Sequence, residues 1–297
     1  MSVLLSILAV GIALYLILYY NVIRGSRCMS SVTLKGKTAI VTGSNTGIGK
    51  ATALDLAKRG ARVILACRSK PKAEAAVYDI RRDSGSNEVV FMQLDLGSLK
   101  SVRSFAETFL KTEPRLDLLI NNAGHFLLTC LLLDRLKECG PSRVVNVSAY
   151  LHRLGSVDFA LLGTHKDLVP GQSTWHNFRA YCHSKLCNVL FTRELANRLE
   201  GTSVTTYSLH PGVIHTEFGR NLKLWLRLFL EPITKLFFMD TERGAQTTLH
   251  CALQEGIEPL SGRYFSSCAL QEVGAKGRDD ALARKLWEVS ERLSDLS

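Results

Sequence analysis

Apolar positions along this chain form short runs separated by polar stretches of helical period, with one exception at the start. Residues 2–23 include no charge, and a helix of that length spans a hydrocarbon layer of roughly 30 Å. The positive charges Arg24, Arg27, Lys35 and Lys37 follow this run instead of preceding it. Residues 1–23 therefore read as a membrane anchor and 24–36 as a basic linker, and the positive-inside rule leaves the rest of the chain in the cytosol. Gly25, Ser26 and Cys28 keep a second reading open, in which the segment is a cleaved signal and the protein is secreted.

After the linker, residues 38–41 form a short apolar run, a glycine-rich turn follows, and a helical pattern ends near Arg59 and Gly60. Residues 62–67 predict a strand, 72–82 a helix, 89–94 a strand, 98–111 a helix capped by Ser98, and 116–121 a strand. The rhythm continues with a helix over 126–137, a strand over 143–148, a long helix around 181–199 and a strand over 204–209. Asp240 caps a helix through Glu255, and a short strand near 263–265 and a terminal helix from Asp279 complete the chain. Strands alternating with helices build a parallel sheet covered on both faces. No repeat or linker divides the chain after residue 36, so residues 37–297 are expected to form one doubly wound α/β domain, a Rossmann fold.

Composition changes this picture little. Hydrophobic residues make up 46% of the chain, ample for a core. The net charge of +10 would suit nucleic acid or an anionic surface. The basic residues are scattered and no nucleic-acid motif is present, so nucleic acid is set aside and the charge reads as a membrane or phosphate preference. Eight cysteines without a C-x-x-C pair, and eight histidines without H-E-x-x-H, argue against a metal site and for reduced core thiols.

The candidate chemistry begins at 42–49, T-G-S-N-T-G-I-G. Gly43, Gly47 and Gly49 stand where backbone must turn tightly and approach a pyrophosphate, with Ser44, Asn45, Thr46 and Ile48 completing the turn. The helix opening near Gly47 adds free N–H groups and the positive end of its dipole. Lying between a strand and a helix, the motif predicts a bound dinucleotide rather than an ordinary turn. An NAD site places Asp or Glu about 20 residues further on. Here the strand ends in Ala66, Cys67 and Arg68, and a guanidinium suits a 2′-phosphate. NADP(H) is thus preferred over NAD(H), unless Arg68 is merely a solvated charge.

Three motifs follow: N-N-A-G at 121–124, Y-C-H-S-K at 181–185 and P-G-V-I-H-T at 211–216. With the glycine turn and in this order, they resemble the short-chain dehydrogenase/reductase family over nearly the whole domain. L-A-C-R-S at 65–69, L-D-L at 94–96 and F-T-R-E-L-A at 191–196 are similar to its membrane-bound retinol dehydrogenase branch. The resemblance implies an NADP(H)-linked oxidoreductase that interconverts an apolar alcohol and its aldehyde or ketone, at the membrane of the endoplasmic reticulum with its catalytic domain cytosolic. It also implies that Asp95 contacts adenine, that Asn122, Ala123 and Gly124 contact the ribose and strand end, and that Pro211 and Gly212 line the cofactor. Thr216 would hold the nicotinamide carboxamide. As structural alternatives, Asp95 is a cap on the approach to a helix and Thr216 a turn residue.

Tyr181 and Lys185 are four apart on a helix, so they share a face and reach the same cofactor. The Lys185 ammonium is expected to lower the Tyr181 pKa, letting the phenol act as acid or base near neutrality. His183, between them, is given no role.

Two departures from the family pattern bear on activity. In the retinol dehydrogenase branch this strand ends N-V-S-S, and the second serine faces substrate; here the aligned residue is Ala149, in V-V-N-V-S-A-Y at 144–150. Ser148 is one step early, which on a strand turns a side chain to the opposite face, so Ser148 serves only if the strand end bulges. Without it the developing alkoxide lacks a hydrogen bond, a loss of about 3–4 kcal/mol for an oxyanion-type donor. The second departure is the junction of Gly124 with His125, where relatives carry a loop and the first turns of a longer helix. That stretch holds the asparagine completing the catalytic group and part of a helix-to-helix dimer contact. The domain is therefore expected to be shortened between 124 and 125, with apolar surface uncovered and a homodimer weakened. Residues 125–138 still make about 21 Å of helix, enough for a crossover.

Residues 218–239 are rich in Leu and Phe, with Arg220, Lys223, Trp225, Arg227 and Lys235 interspersed, where the family carries its substrate lid. The pattern suits an interfacial helix on the cytosolic leaflet, or else a core-facing one. Trp175 and Phe178 line the same pocket or belong to the core. Two functions stand against each other: an oxidoreductase acting on an apolar small molecule through Tyr181 and Lys185, and a catalytically impaired dinucleotide-binding variant.

Overall fold

The structure, a computed structural model, describes residues 10, 26–122, 125–162, 174–212 and 240–296. The anchor apart from Val10, the lid at 218–239, and the site residues Ala123, Gly124 and Thr216 lie outside the described residues. Among the described residues no helix is long and apolar enough to cross a membrane.

Eight strands form one sheet. They are β1 (Thr38–Thr42), β2 (Arg62–Cys67), β3 (Val89–Gln93), β4 (Leu118–Asn121), β5 (Ser142–Val147), β6 (Val204–His210), β7 (Tyr264–Ser266) and β8 (Ala269–Gln271). Their order is β3-β2-β1-β4-β5-β6-β7-β8, and every pair is parallel except β7 with β8. The chain winds outward from β1 to β3 and then returns to β4 on the other side, so a crevice opens beyond the carboxyl ends of β1 and β4.

The helices are α1 (Gly47–Lys58), α2 (Lys70–Ser84), α3 (Leu99–Thr112), α4 (Phe126–Glu138), a single turn α5 (Phe159–Leu162), α6 (Thr174–Arg198), α7 (Thr241–Leu253) and α8 (Asp280–Leu293). Alternate strand residues feed two cores, because successive side chains point to opposite faces. Ala39, Val41, Val63 and Leu65 pack with α1, α2 and α7. Ile40, Ile64 and Leu119 pack with α3, α4, α6 and α8. Caps set two helix starts as the sequence requires: the Ser98 hydroxyl accepts from Ser101 N at 3.3 Å, and Asp240 Oδ1 from Arg243 N at 2.7 Å.

Two elements differ from expectation. The helix carrying Tyr181 begins at Thr174 instead of near Tyr181. The strand near 263–265 continues into a hairpin with β8, turned by Ser267 (φ 50°) and Cys268 (φ 57°). Such turns normally announce themselves with Asn-Gly, which is absent here.

Candidate functional site

The glycine turn lies at the mouth of the crevice. Gly43 and Gly47 take φ of 62° and 61°, a region open to glycine without strain. Gly43 N donates to Ala66 O at 2.9 Å, and the buried Ser44 hydroxyl donates to Val41 O at 2.7 Å and sits 3.5 Å from Cys67 Sγ. The turn is thereby stitched to the end of β2, directly before Arg68. A Cβ on Gly49 would lie 2.7 Å from Gly43 O and 3.1 Å from Asn122 Nδ2, so only glycine lets turn, helix and the end of β4 meet. A Cβ on Gly47 would meet nothing within 4 Å. Thr46, capping α1, makes no side-chain cap bond, and the first turn holds no acid. The positive end of the helix is thus left without a side-chain cap or an acid and with room beside Gly47, which fits a pyrophosphate.

The remaining cofactor residues are placed as follows. Asn45 is partly buried, Thr46 is exposed, and Ile48 packs against the adjacent core. Arg68 is exposed, and no carboxylate among the described residues pairs with it. Asp95 Oδ1 accepts from Gly97 N at 3.0 Å, and Asp95 N donates to the Ser101 hydroxyl at 2.9 Å. The carboxylate thus shapes the loop before α3, while Ser98 makes the cap. Pro211 and Gly212 (φ 96°) follow β6 at the same end of the sheet.

Tyr181 is 45% exposed on α6. The Lys185 ammonium lies 5.4 Å from the Tyr181 ring centroid and donates to Val147 O at 3.2 Å; Asn188 Nδ2 donates to the same oxygen at 3.0 Å. The Ser148 hydroxyl, which sequence made a doubtful catalytic candidate, is buried and donates to Lys185 O at 2.7 Å. Its N–H continues the ladder to Leu209 O at 2.7 Å.

The expected lowering of the Tyr181 pKa is not realised in this arrangement. Burial raises it, with Cys182 adding to the effect. Lys185 points its charge at the ring and the Val147 carbonyl, and burial lowers its own pKa. His183 has a structural place: Ser156 N donates to its Nδ1 at 2.8 Å, tying α6 to the loop before α5. Trp175 is 66% exposed and stacks on Phe178 with centroids 5.6 Å apart, which excludes it from the core.

Sequence reasoning missed an aromatic group beside Tyr181. His152 and Tyr264 rings lie 4.8 Å apart, and Tyr150 and His210 rings 6.3 Å apart. His210 Nδ1 and the Tyr264 hydroxyl are buried without a hydrogen-bond partner among the described residues. Burial raises the Tyr264 pKa, with Tyr150 and Tyr181 adding to it against Arg153. His210 was legible only as the residue before P-G. At the start of α4, cavities of about 180 and 240 Å³ share His125, Phe126 and Ser290.

Residues 37–152 match the short chain dehydrogenase family. Dehydrogenase/reductase SDR family member 13 of Bos taurus is 51% identical over 314 residues, covering 98% of this chain and 82% of the relative. The chain belongs to the short-chain dehydrogenase/reductase family. Members of this family bind nicotinamide dinucleotides, and the chain is an oxidoreductase related to retinol dehydrogenases. Retinol dehydrogenase 11 of Mus musculus is 48% identical over 289 residues, covering 89% of this chain and 88% of the relative. A solved structure of an uncharacterised Mycobacterium paratuberculosis protein has a TM-score of 0.69 and 31% identity, over 91% of this chain and 98% of that one. The alignment to the bovine short-chain dehydrogenase/reductase runs over 314 positions, more than the 297 residues here, so that relative has positions with no counterpart in this chain.

Proposed function

We propose that this protein interconverts an apolar alcohol of the retinol type and its aldehyde or ketone with NADP(H), using Tyr181 as acid/base and Lys185 as its partner. The observation carrying this reading is the shared face of Tyr181 and Lys185 on α6, with the ammonium 5.4 Å from the ring and fixed to the end of β5 through Val147 O. When bound, the dinucleotide supplies or accepts the hydride. Tyr181 holds the proton at the substrate oxygen, and Lys185 keeps a positive charge beside the phenol as it ionises. Exposed, and with no carboxylate among the described residues opposing it, Arg68 favours the 2′-phosphate of NADP(H). Residues 1–23 anchor the protein to a membrane, and 218–239 lie on its cytosolic leaflet, where an apolar substrate enters.

One observation favours a second reading, a dinucleotide-binding protein with impaired chemistry. The Ser148 hydroxyl is taken by Lys185 O, and Ala149 offers no donor beside Tyr181. In that reading the positions absent from this chain fall at the junction of Gly124 and His125, removing the asparagine and weakening a homodimer.

NADPH binding by fluorescence and reduction of retinal, measured on one preparation, separate the two. Binding with turnover above a Tyr181→Phe control supports the enzyme. Binding without turnover above that control overturns it and leaves the second reading.

A further inference from the structure

Beneath the glycine turn, a serine and a cysteine 23 residues apart in sequence meet. Ser44 is fully buried, and Cys67, the last residue of β2, is 3% exposed. Ser44 Oγ and Cys67 Sγ lie 3.5 Å apart. The Ser44 hydroxyl, expected from sequence to help hold the cofactor, is therefore turned away from any phosphate and into the protein.

The direction of the contact follows from counting protons. A hydroxyl carries one, and that of Ser44 goes to Val41 O at 2.7 Å. Only lone pairs remain on the Ser44 oxygen, so the Cys67 thiol donates to it. The thiol keeps its proton near neutral pH, because burial raises its pKa and outweighs the bonds from Ser44 and Asn45 that act the other way. Sulfur in turn accepts from the backbone N–H groups of Ser44 and Asn45. One thiol thus holds a side chain and two consecutive peptide groups of the turn.

The same residue belongs to the strand end that carries Arg68. Gly43 N donates to Ala66 O at 2.9 Å, and Cys67 O accepts from Leu94 N at 2.9 Å, so β2 is pinned on both sides of the thiol. Turn and strand end are fixed relative to each other, with the helix start at Gly47 on one side and Arg68 one residue past the sulfur on the other. An apolar side chain at position 67 would satisfy the core but leave those bonds unmade, at a cost in buried polar groups.

We propose that Cys67 is a positioning residue for the dinucleotide: its thiol, bonded to Ser44 and Asn45, holds the first half of the turn in the shape a pyrophosphate requires and in fixed relation to Arg68. The proposal rests on the cofactor reading above for the identity of the ligand, whereas the bonds themselves can be measured without it.

Alanine and serine at position 67 leave nearly the same space, but only serine can donate and accept. In full-length Cys67→Ala, NADPH affinity read by fluorescence is expected to fall by about tenfold. Amide hydrogen exchange at Ser44 and Asn45, measured without NADPH, is expected to quicken by about tenfold as well. Cys67→Ser is expected to stay within about threefold of wild type in both, with the two thermal midpoints within about 3 °C of each other. Packing alone predicts the reverse order, since a buried methyl is tolerated better than a buried hydroxyl. Ser44→Ala removes the contact from the other side, is expected to weaken NADPH by a similar factor, and provides the test should the variants at position 67 fail to fold. Wild-type affinity in Cys67→Ala, tighter binding by Cys67→Ala than by Cys67→Ser, or unchanged exchange at Ser44 and Asn45 would each overturn the role of Cys67 alone. Wild-type protein that binds no NADPH would overturn the cofactor reading and this role together.

Discussion

The Ser148 hydroxyl donates to the carbonyl oxygen of Lys185 at 2.7 Å, joining the residue after β5 to the helix turn that carries the Tyr181 partner. Lys185 Nζ and Asn188 Nδ2 return the connection by both donating to Val147 O. Three bonds thus sew one strand end onto α6, and the hydroxyl closest in sequence to the family's catalytic serine is spent on structure. Ser148→Ala is expected to lower stability by about 1 kcal/mol, the usual net worth of one such bond, and to leave kcat for retinal within about threefold. Ala149→Ser places a hydroxyl one step along and is expected to raise kcat by about a hundredfold, as an added oxyanion donor does. Urea denaturation and steady-state reduction of retinal check the pair. A large kcat loss in Ser148→Ala would show that its hydroxyl serves the substrate instead.

Gly47 tests the phosphate turn. Its φ of 61° is one that Asp tolerates among non-glycine residues, and a Cβ there meets nothing within 4 Å, so Gly47→Asp keeps the fold. The carboxylate then occupies the space at the helix N-terminus where an anion would bind. NADPH affinity, read by fluorescence, is expected to fall by at least about tenfold, with an unaltered circular dichroism spectrum. Unchanged affinity would place the dinucleotide elsewhere.

Arg68 tests the choice of cofactor. Exposed at the end of β2, it has no carboxylate partner among the described residues to release. Arg68→Asp replaces a 2′-phosphate partner with a ribose-hydroxyl acceptor, and the ratio of NADPH to NADH affinity is expected to fall by about tenfold or more. The same ratio in variant and wild type would reduce Arg68 to a solvated charge.

Legibility followed the range of each interaction. Strands such as Arg62–Cys67 declare themselves through local apolar runs, and Ser98 and Asp240 cap the helices they precede because capping is settled within three residues. The glycine turn was readable for the same reason. The β7–β8 hairpin was not, because Ser267 and Cys268 adopt left-handed backbone without Gly or Asn to signal it. Nor was the pairing of Ser148 with Lys185, 37 residues apart in sequence, since it arises only when β5 and α6 pack. The Lys185 effect on Tyr181 depends on packing in the same way. Helical spacing brings the two residues together, but the Val147 carbonyl decides where the ammonium points.

The acid end of the stability curve should report on Asp117, just before β4. Its side chain is 4% exposed and accepts hydrogen bonds from Lys37 Nζ at 2.8 Å, Thr38 N at 2.9 Å, and Arg115 at 2.6 and 2.8 Å. Burial works to raise its pKa, but the bonds from Arg115, Lys37 and Thr38 outweigh burial and hold it below the usual carboxylate value. A group depressed on folding stabilises the native state above its unfolded pKa of about 3.9, and that contribution disappears as pH falls through the folded value. Lys37 and Arg115 are 35% and 38% exposed, so solvent screens the charges and the net worth is modest. Asp117→Asn is expected to cost about 1–2 kcal/mol at pH 7. The difference between wild type and variant should shrink as pH falls below about 4. Burial lowers the pKa values of His125, His152 and His210 in both proteins, so their titration cancels in that difference. Urea midpoints measured from pH 7 to 3 give the comparison, and a difference that stays constant through this range would show that the Asp117 carboxylate is not what joins β1 to β4.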